Sequence, residues 1–171
     1  IPMDSRLLLL SVQRDWPHVL LVLCQAKAKL NVDVVGKDGI TPLMLAAREG
    51  KKACLSALLQ SGSPDLDKAD SADRTPIMHA AYRGESECVS RLLKAGASID
   101  VETVDGTTLL MAACYGGLDE FAKYLIENNA DVDAVNENGF SALLFASSEG
   151  YQDTVSLLLN SNASINVVSR A

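Results

Sequence analysis

A ten-residue segment of this chain occurs twice in nearly the same form, as TPLMLAAREG at residues 41–50 and TPIMHAAYRG at residues 75–84. Four equivalent positions follow one another at intervals of 34, 33 and 33 residues: Thr41, Thr75, Thr108 and Ser141. Nine residues after each stands a glycine, at Gly50, Gly84, Gly117 and Gly150. A period of this length restricts the chain to supersecondary units that stack on their neighbours, because one unit alone cannot bury its apolar face.

Each repeat carries signals for two helices and a turn. Thr or Ser is a preferred N-cap residue, and Pro42 and Pro76 occupy the first helical position, where a missing N–H costs nothing. The glycine ends a short first helix, and a second helix carries a pair of apolar residues: Leu58 and Leu59, Leu92 and Leu93, Leu125 and Ile126, Leu158 and Leu159. Gly62, Gly96, Asn129 and Asn162 then suit the left-handed end of that helix. Asp105–Gly106 and Asn138–Gly139 predict tight turns before the next helix.

The stretch DGITPLMLAAREG resembles the ankyrin repeat, whose signature is T-P-L-H-x-A. The resemblance covers about residues 38–168. It implies an all-α ankyrin-repeat solenoid of helix-turn-helix units joined by β-hairpin-like loops, with hairpins and first helices lining a concave groove and second helices forming the back. We expect one domain with repeats at 38–70, 71–104, 105–137 and 138–171, the last including the start of a further loop.

The chain departs from this pattern at the histidine of T-P-L-H. That histidine usually ties neighbouring loops in the family, whereas here Met44, Met78, Met111 and Leu144 stand in its place. Methionine is an adaptable apolar filler, so we predict that this position packs in the core.

The two ends of the chain are divergent. Residues 1–37 match only about half of the repeat pattern, and we interpret them as a divergent N-terminal capping repeat. Its first helix is expected to be capped by Asp4 or Ser5, and its second to start at Pro17. The apolar positions of that second helix are Val19, Leu20, Leu23 and Cys24.

At the other end we find no polar capping helix, which a terminal repeat needs. Partial exposure is therefore expected for Leu143, Phe145, Leu157 and Leu158. Because the chain also starts at Ile1 without an initiator Met, we expect a segment excised from a longer protein.

Composition argues against several classes of function. A net charge of −7 disfavours nucleic-acid binding, which uses clustered Lys and Arg. The chain contains no apolar run of about 18 residues, so no membrane span is predicted. Four cysteines lack any CxxC pair and lie in apolar helical stretches: Cys24, Cys54, Cys88 and Cys114. We predict buried thiols in a reducing cytoplasmic or nuclear compartment.

The sequence contains no recognisable catalytic constellation. His18 is expected to face solvent, and His79 either lines the groove or packs against its neighbour. Neither histidine has companions at metal-ligand spacing, and there is no phosphate-binding loop or nucleophile motif. The prediction is therefore a protein that is not an enzyme and has no cofactor or metal.

The residues that vary between repeats lie at hairpin tips and at the end of each first helix. In ankyrin proteins such positions usually contact partners. The predicted contact residues are Lys37, Asp38, Ile40, Arg48, Arg74, His79, Tyr82, Arg83, Asp105, Thr107, Tyr115, Asn138, Phe140, Phe145 and Glu149. Tyr82 and Tyr115 share one register, should stand about 10 Å apart, and are the expected anchors.

Three functions fit this pattern. The first is a scaffold or adaptor module, monomeric as this fragment, that binds a peptide or domain of a protein partner in its groove. The second is a stand-alone inhibitor or regulator of an enzyme such as a kinase. The third is a reader of methyl-lysine peptides through Tyr82, Tyr115 and Phe145.

Charge is unevenly distributed along the chain. Residues 1–85 hold 11 Lys and Arg against 10 Asp and Glu, whereas residues 86–171 hold 4 against 12. The expected contact positions follow this split, with Lys37, Arg48, Arg74 and Arg83 in the first half and Asp105, Glu137 and Glu149 in the second. A partner segment that is acidic at one end and basic at the other would align with such a field.

Overall fold

A computed structural model describes residues 3–26, 31–61 and 63–166 of the chain. Within these ranges the regular structure is α-helical, apart from a short 3₁₀ turn at Lys37–Gly39 and two isolated β-bridges. The helices are α1 (Met3–Gln13), α2 (Pro17–Ala26), α3 (Pro42–Arg48), α4 (Lys52–Ser61), α5 (Pro76–Tyr82), α6 (Ser86–Ala95), α7 (Leu109–Tyr115), α8 (Asp119–Glu127), α9 (Ala142–Glu149) and α10 (Gln152–Asn160). The chain divides into two compact units, residues 1–98 and 99–171.

Unit 1, residues 1–98, contains three helix pairs. Helices α1, α3 and α5 pack side by side in one layer, and α2, α4 and α6 form a second layer against them. Close approach within the first layer is possible because small residues lie at its centre: Ala46, Ala47, Ala80 and Ala81 are completely buried. Met44 and Met78 are also fully buried, as predicted for the position that replaces the family histidine.

Unit 2, residues 99–171, repeats this arrangement with two helix pairs, in which α7 packs on α9 and α8 on α10. Antiparallel bridges join Glu102 to Thr108 and Val135 to Ser141, so a short hairpin precedes each first helix. The predicted turns are confirmed, since Gly106 and Gly139 have φ values of +74° and +77°, a backbone region that favours glycine.

The predicted helix ends are confirmed at most positions. The hydroxyls of Thr41, Thr108 and Ser141 each accept the backbone N–H of the third residue after them, at 3.2, 3.3 and 3.2 Å. Thr75 differs, because its helix has no side-chain cap and its hydroxyl is buried without a partner. The glycines nine residues further on all have positive φ, as do Gly96, Asn129 and Asn162. Gly62 lies outside the described residues.

At the N-terminal end, two expectations were wrong. Asp4 and Ser5 do not precede α1, because the helix already includes Met3. Val19 is 44% exposed, whereas Leu20 is fully buried and Cys24 nearly so. Along α2 the packed face therefore contains Leu20 and Cys24, which are one helical turn apart, and Val19 lies beside that face.

At the C-terminal end the exposed residues differ from those expected. Leu158 is completely buried, so its predicted exposure was wrong; its side chain lies on the face of α10 that packs on α8 and α9. Leu143, Phe145 and Leu157 are partly exposed, as expected. Leu144 is 45% exposed, although Met44, Met78 and Met111 at the equivalent position have no exposed surface.

Three of the four aspartates that stand eight residues before the repeated Thr or Ser bind the backbone of the following turn, and sequence reasoning missed them. Asp33 accepts the backbone N–H of residue 65 at 3.0 Å, Asp67 that of residue 98 at 2.8 Å, and Asp133 that of residue 164 at 2.7 Å. Because Asp33, Asp67, Asp100 and Asp133 share one register, the signal was present as periodicity.

Candidate protein-binding surfaces

Four segments of fourteen residues contain the predicted contacts, each running from a hairpin through a first helix. We name them by their capping position. They are the Thr41 segment (36–49), the Thr75 segment (70–83), the Thr108 segment (103–116) and the Ser141 segment (136–149). The first two lie in unit 1 and the last two in unit 2.

Asp70, the first residue of the Thr75 segment, holds the hairpin together. Its Oδ1 accepts the backbone N–H groups of Ala72 and Arg74 at 2.9 and 3.0 Å, which forms an Asx-type turn. Its Oδ2 accepts Nε of Arg74 and Nε2 of His79, both at 3.0 Å. Burial disfavours the ionised carboxyl, but the backbone N–H donors and the Arg74 guanidinium outweigh it and hold the pKa of Asp70 below its usual value.

His79, a predicted partner contact, is therefore part of the framework. The residue is only 4% exposed and its ring donates to the Asp70 carboxylate, which can only accept. Burial lowers the pKa of His79 to about 4, although Asp70 acts in the opposite direction. The ring is neutral at pH 7 and ties helix α5 to its own hairpin.

Asn136 has the corresponding role in the Ser141 segment. Its Oδ1 accepts the backbone N–H groups of Asn138 and Phe140 at 3.1 and 2.9 Å, and its Nδ2 donates to the hydroxyl of Thr107 at 2.9 Å. Thr107, another predicted partner contact, is consequently only 2% exposed. A hydroxyl at the same register, Thr103, accepts the N–H of Thr107 at 3.0 Å. Sequence reasoning missed these anchors, although Asp, Thr and Asn recur five residues before the cap.

In unit 1, four predicted contact residues surround one cleft of about 240 Å³, which we call the unit 1 cleft. Its lining comprises Leu9, Gln13, Gly36, Lys37, Asp38, Ile40, Leu45 and Arg48. Lys37 and Asp38 are exposed, and Arg48 and Ile40 are partly exposed. The cleft thus combines aliphatic surface with charged groups. The contribution of α1 through Leu9 and Gln13 was not predicted.

The remaining candidates of unit 1 lie in the Thr75 segment. Arg83 is exposed and Tyr82 is half-buried. Arg74 is partly exposed, but two of its guanidinium nitrogens lie 3.0 Å from Asp70. Arg83 is therefore the cation of this segment that is both exposed and outside the Asp70 network.

In unit 2, three predicted residues form an aromatic cluster: Tyr115, Phe140 and Phe145. The Tyr115 and Phe145 rings meet edge to face with centroids 5.8 Å apart, and the Phe140 and Phe145 rings are tilted with centroids 5.0 Å apart. Tyr115 is 40% and Phe140 36% exposed, so ring surface from α7 and from the hairpin faces solvent. Aromatic side chains of this kind are typical anchors of protein interfaces.

Carboxylates flank the aromatic cluster. Glu149 is exposed on α9, one helical turn after Phe145, and Glu137 and Asn138 are exposed at the hairpin tip. Asp105 accepts the side-chain N–H of Asn138 at 3.3 Å. Hydrogen bonds from the hydroxyl of Thr103 and from Thr107 hold the pKa of Asp105 below its usual value, so this group is ionised at neutral pH.

No metal site is evident in the part of the chain that the structure describes. That part contains no group of three or more His, Cys, Asp or Glu side chains able to hold a metal ion. The four cysteines are free and buried, as predicted. Burial raises the pKa of Cys54 to about 12, of Cys88 to about 11 and of Cys114 to about 12, so these thiols are not thiolates at neutral pH. No described helix is long and apolar enough to cross a membrane.

Helix pairs that pack on one another and are joined by hairpins define an α-helical repeat protein. A family model described as ankyrin repeats, in 3 copies, matches residues 8–104 and 96–169. The chain belongs to the ankyrin-repeat family, which confirms the predicted fold class, an all-α ankyrin-repeat solenoid. Ankyrin repeats are generally protein–protein interaction modules and typically not catalytic. A comparison with curated proteins found no match.

Proposed function

We propose that this chain is a non-catalytic scaffold or adaptor module that binds a segment of a partner protein on its hairpins and first helices. The observation that supports it is a contrast within the four segments. The backbone just before the first helix is extended at Thr41, Thr75, Thr108 and Ser141 alike, whereas the residue preceding that position changes from Ile40 to Arg74, Thr107 and Phe140. Such variation on a constant frame suits recognition.

The exposed residues of the segments also have the composition of a binding surface. The unit 1 cleft offers aliphatic surface beside Lys37 and Arg48, and the aromatic cluster of unit 2 offers rings beside carboxylates. Apolar anchors surrounded by polar groups are the usual anatomy of a protein interface. The module needs no cofactor for this function.

Affinity purification with mass spectrometry tests the proposal. We would compare the wild-type chain with a Tyr82→Ala/Tyr115→Ala double variant, which alters one segment in each unit. Tyr124→Ala is a matched control, because Tyr124 is 42% exposed on α8, in the layer behind α7. We expect specific partners to be lost from the double variant and retained by the control. Partners that are lost only from the control would place binding on the second helices.

Free, buried thiols support a cytoplasmic or nuclear location for the module. We further propose that the chain binds its partner as a monomer. Light scattering coupled to size-exclusion chromatography tests this, and a dimer mass at micromolar concentration would contradict it.

A further inference from the structure

The aromatic cluster of unit 2 lies in a strongly acidic part of the chain. Residues 99–166 hold eleven Asp and Glu but one cation, Lys123. Lys123 belongs to α8 and not to the helices or hairpin that carry the rings. No ion pair joins any two residues within this range. Within the described part of unit 2, no cation therefore forms an ion pair with the carboxylates beside the rings.

The aromatic cluster retains solvent-exposed surface. Phe145 is the central ring, with the edge-to-face contact to Tyr115 on one side and the tilted contact to Phe140 on the other. The two outer rings retain more than a third of their residue surface in solvent. The face of an aromatic ring carries the negative part of its quadrupole and attracts a cation placed over it.

We propose that the aromatic cluster binds an arginine side chain of a basic partner segment, with the guanidinium over an outer ring and its N–H groups directed to Glu149 or to the hairpin carboxylates. This inference rests on the proposed function and specifies the partner chemistry at one of its surfaces. Arginine is favoured over lysine because its planar guanidinium stacks on a ring and donates to carboxylates at once. An acidic segment would be repelled by the same carboxylates.

The same geometry does not favour a methyl-lysine cage. Such a cage needs rings that surround an open space, whereas Tyr115 and Phe145 are in contact with each other. We therefore assign the unmodified guanidinium as the ligand and treat methylated lysine as a competing outcome of the test.

The first experiment selects ligands without assuming a partner. The intact chain is immobilised and used to enrich a display library of random linear peptides. We expect enriched peptides to contain arginine next to apolar residues. Enrichment of neutral or acidic peptides would overturn this inference and leave the proposed function standing. A library with no enrichment over the empty support would overturn the proposed function, and this inference with it.

The second experiment locates the contact, using the best enriched arginine peptide with a fluorescent label. We expect Tyr115→Leu or Phe140→Leu, which keep apolar bulk but remove the ring, to raise Kd about five-fold, whereas Tyr124→Leu on α8 leaves it unchanged. Glu149→Gln should weaken binding more than Glu127→Gln, which removes the same charge from α8. Circular dichroism checks that each variant is folded.

Changes in the peptide complete the test. Replacing its arginine by glutamine should raise Kd about five-fold or more, and replacing it by lysine should raise Kd less. Equal binding of the arginine and glutamine peptides would overturn the proposal, as would unchanged Kd in both ring variants. Tighter binding of a trimethyl-lysine peptide would also overturn it, in favour of a methyl-lysine reader.

Discussion

The Thr75 and Ser141 segments have the same backbone plan and use it for opposite purposes. In both, the first residue is an oxygen acceptor that binds the N–H groups two and four residues later, through Asp70 in one and Asn136 in the other. Around Asp70 the neighbouring side chains are Arg74 and His79, which its carboxylate holds. The positions equivalent to them in the Ser141 segment are Phe140 and Phe145, whose rings contact each other.

The difference shows what the hairpin requires and what it leaves open. In these two segments a side-chain oxygen stabilises the turn, and both aspartate and asparagine supply it. A buried carboxylate needs further donors, since an unpaired buried charge is strongly destabilising, and in the Thr75 segment these donors are Arg74 and His79. The neutral amide of Asn136 needs only Thr107, and Phe140 and Phe145 are then available to form a surface. A framework residue and a contact residue can thus occupy the same register.

The largest expected effect is the removal of the charged anchor. Asp70→Ala leaves a buried histidine and two backbone N–H groups without their acceptor, and we expect a loss of about 3–5 kcal/mol in the free energy of unfolding. Asn136→Ala removes neutral hydrogen bonds and should cost about 1–3 kcal/mol. Urea denaturation measures both.

Asp70→Asn provides the matched control, because it keeps the acceptor oxygen and removes the charge. The loss in the free energy of unfolding caused by Asp70→Asn should lie between zero and the loss caused by Asp70→Ala. If Asn136→Ala proves as destabilising as Asp70→Ala, the charged network around Asp70 contributes no extra stability. The two segments would then differ in residue composition but not in the energy of their anchors.

The residue three positions after the cap should give the next largest difference. Met78 is fully buried and Leu144 is 45% exposed at the same register. Met78→Ala should cost about 2–5 kcal/mol through lost contacts and a cavity, and Leu144→Ala less than about 1 kcal/mol. Thermal or urea unfolding of both variants checks this. Equal costs would mean that Leu144 is covered in solution, which a mass measurement on the same sample would detect as association.

Acidification should weaken the Thr75 segment. Burial lowers the pKa of His79 to about 4, against an ordinary value of 6.5, with Asp70, Arg74 and Arg48 as the charged groups acting on it. As the pH falls, the unfolded chain therefore takes up the proton before the folded chain does. The contribution of His79 to the free energy of unfolding is complete above about pH 6.5 and is lost as the pH falls towards 4. Between about pH 7 and pH 5 we expect a loss of about 1–2 kcal/mol from this group.

His79→Gln tests the origin of that loss, since glutamine can donate to Asp70 and does not titrate. Its unfolding free energy should change less between these pH values than that of the wild type. The pKa of Asp70 is lowered, so its own contribution stays in place until the pH falls below about 4. The same pH dependence in His79→Gln would assign the effect to other groups.

The smallest expected effects concern the caps. Ser141 accepts the N–H of Leu144 at 3.2 Å, so Ser141→Ala should cost about 1 kcal/mol. The Thr75 hydroxyl is buried without a partner, so Thr75→Val should be neutral or slightly stabilising. Hydrogen exchange at the first turns of α5 and α9 would resolve the difference. A cost of about 1 kcal/mol for Thr75→Val would show that this hydroxyl is bonded in solution.

Much of this protein follows from local chemistry that the sequence displays directly. The period, the caps at Thr41, Thr108 and Ser141, the glycines with positive φ and the hairpin turns depend on residues a few positions apart, so their spacing predicts them. For the same reason the aspartates and the hairpin anchors could have been found, because they recur in register.

What only the tertiary structure decided is which residue of a given register faces solvent. His79 and Phe145 occupy equivalent positions. His79 is buried and hydrogen-bonded to Asp70, whereas Phe145 contacts two neighbouring rings and is partly exposed. Thr107 looked like a hairpin-tip contact until Asn136, 29 residues away, supplied its hydrogen-bond partner. The sequence by itself determined the repeat and its backbone. The surface depended on side chains that meet only in the folded structure, because burial and hydrogen bonding are set by residues 9 to 30 positions apart in these examples.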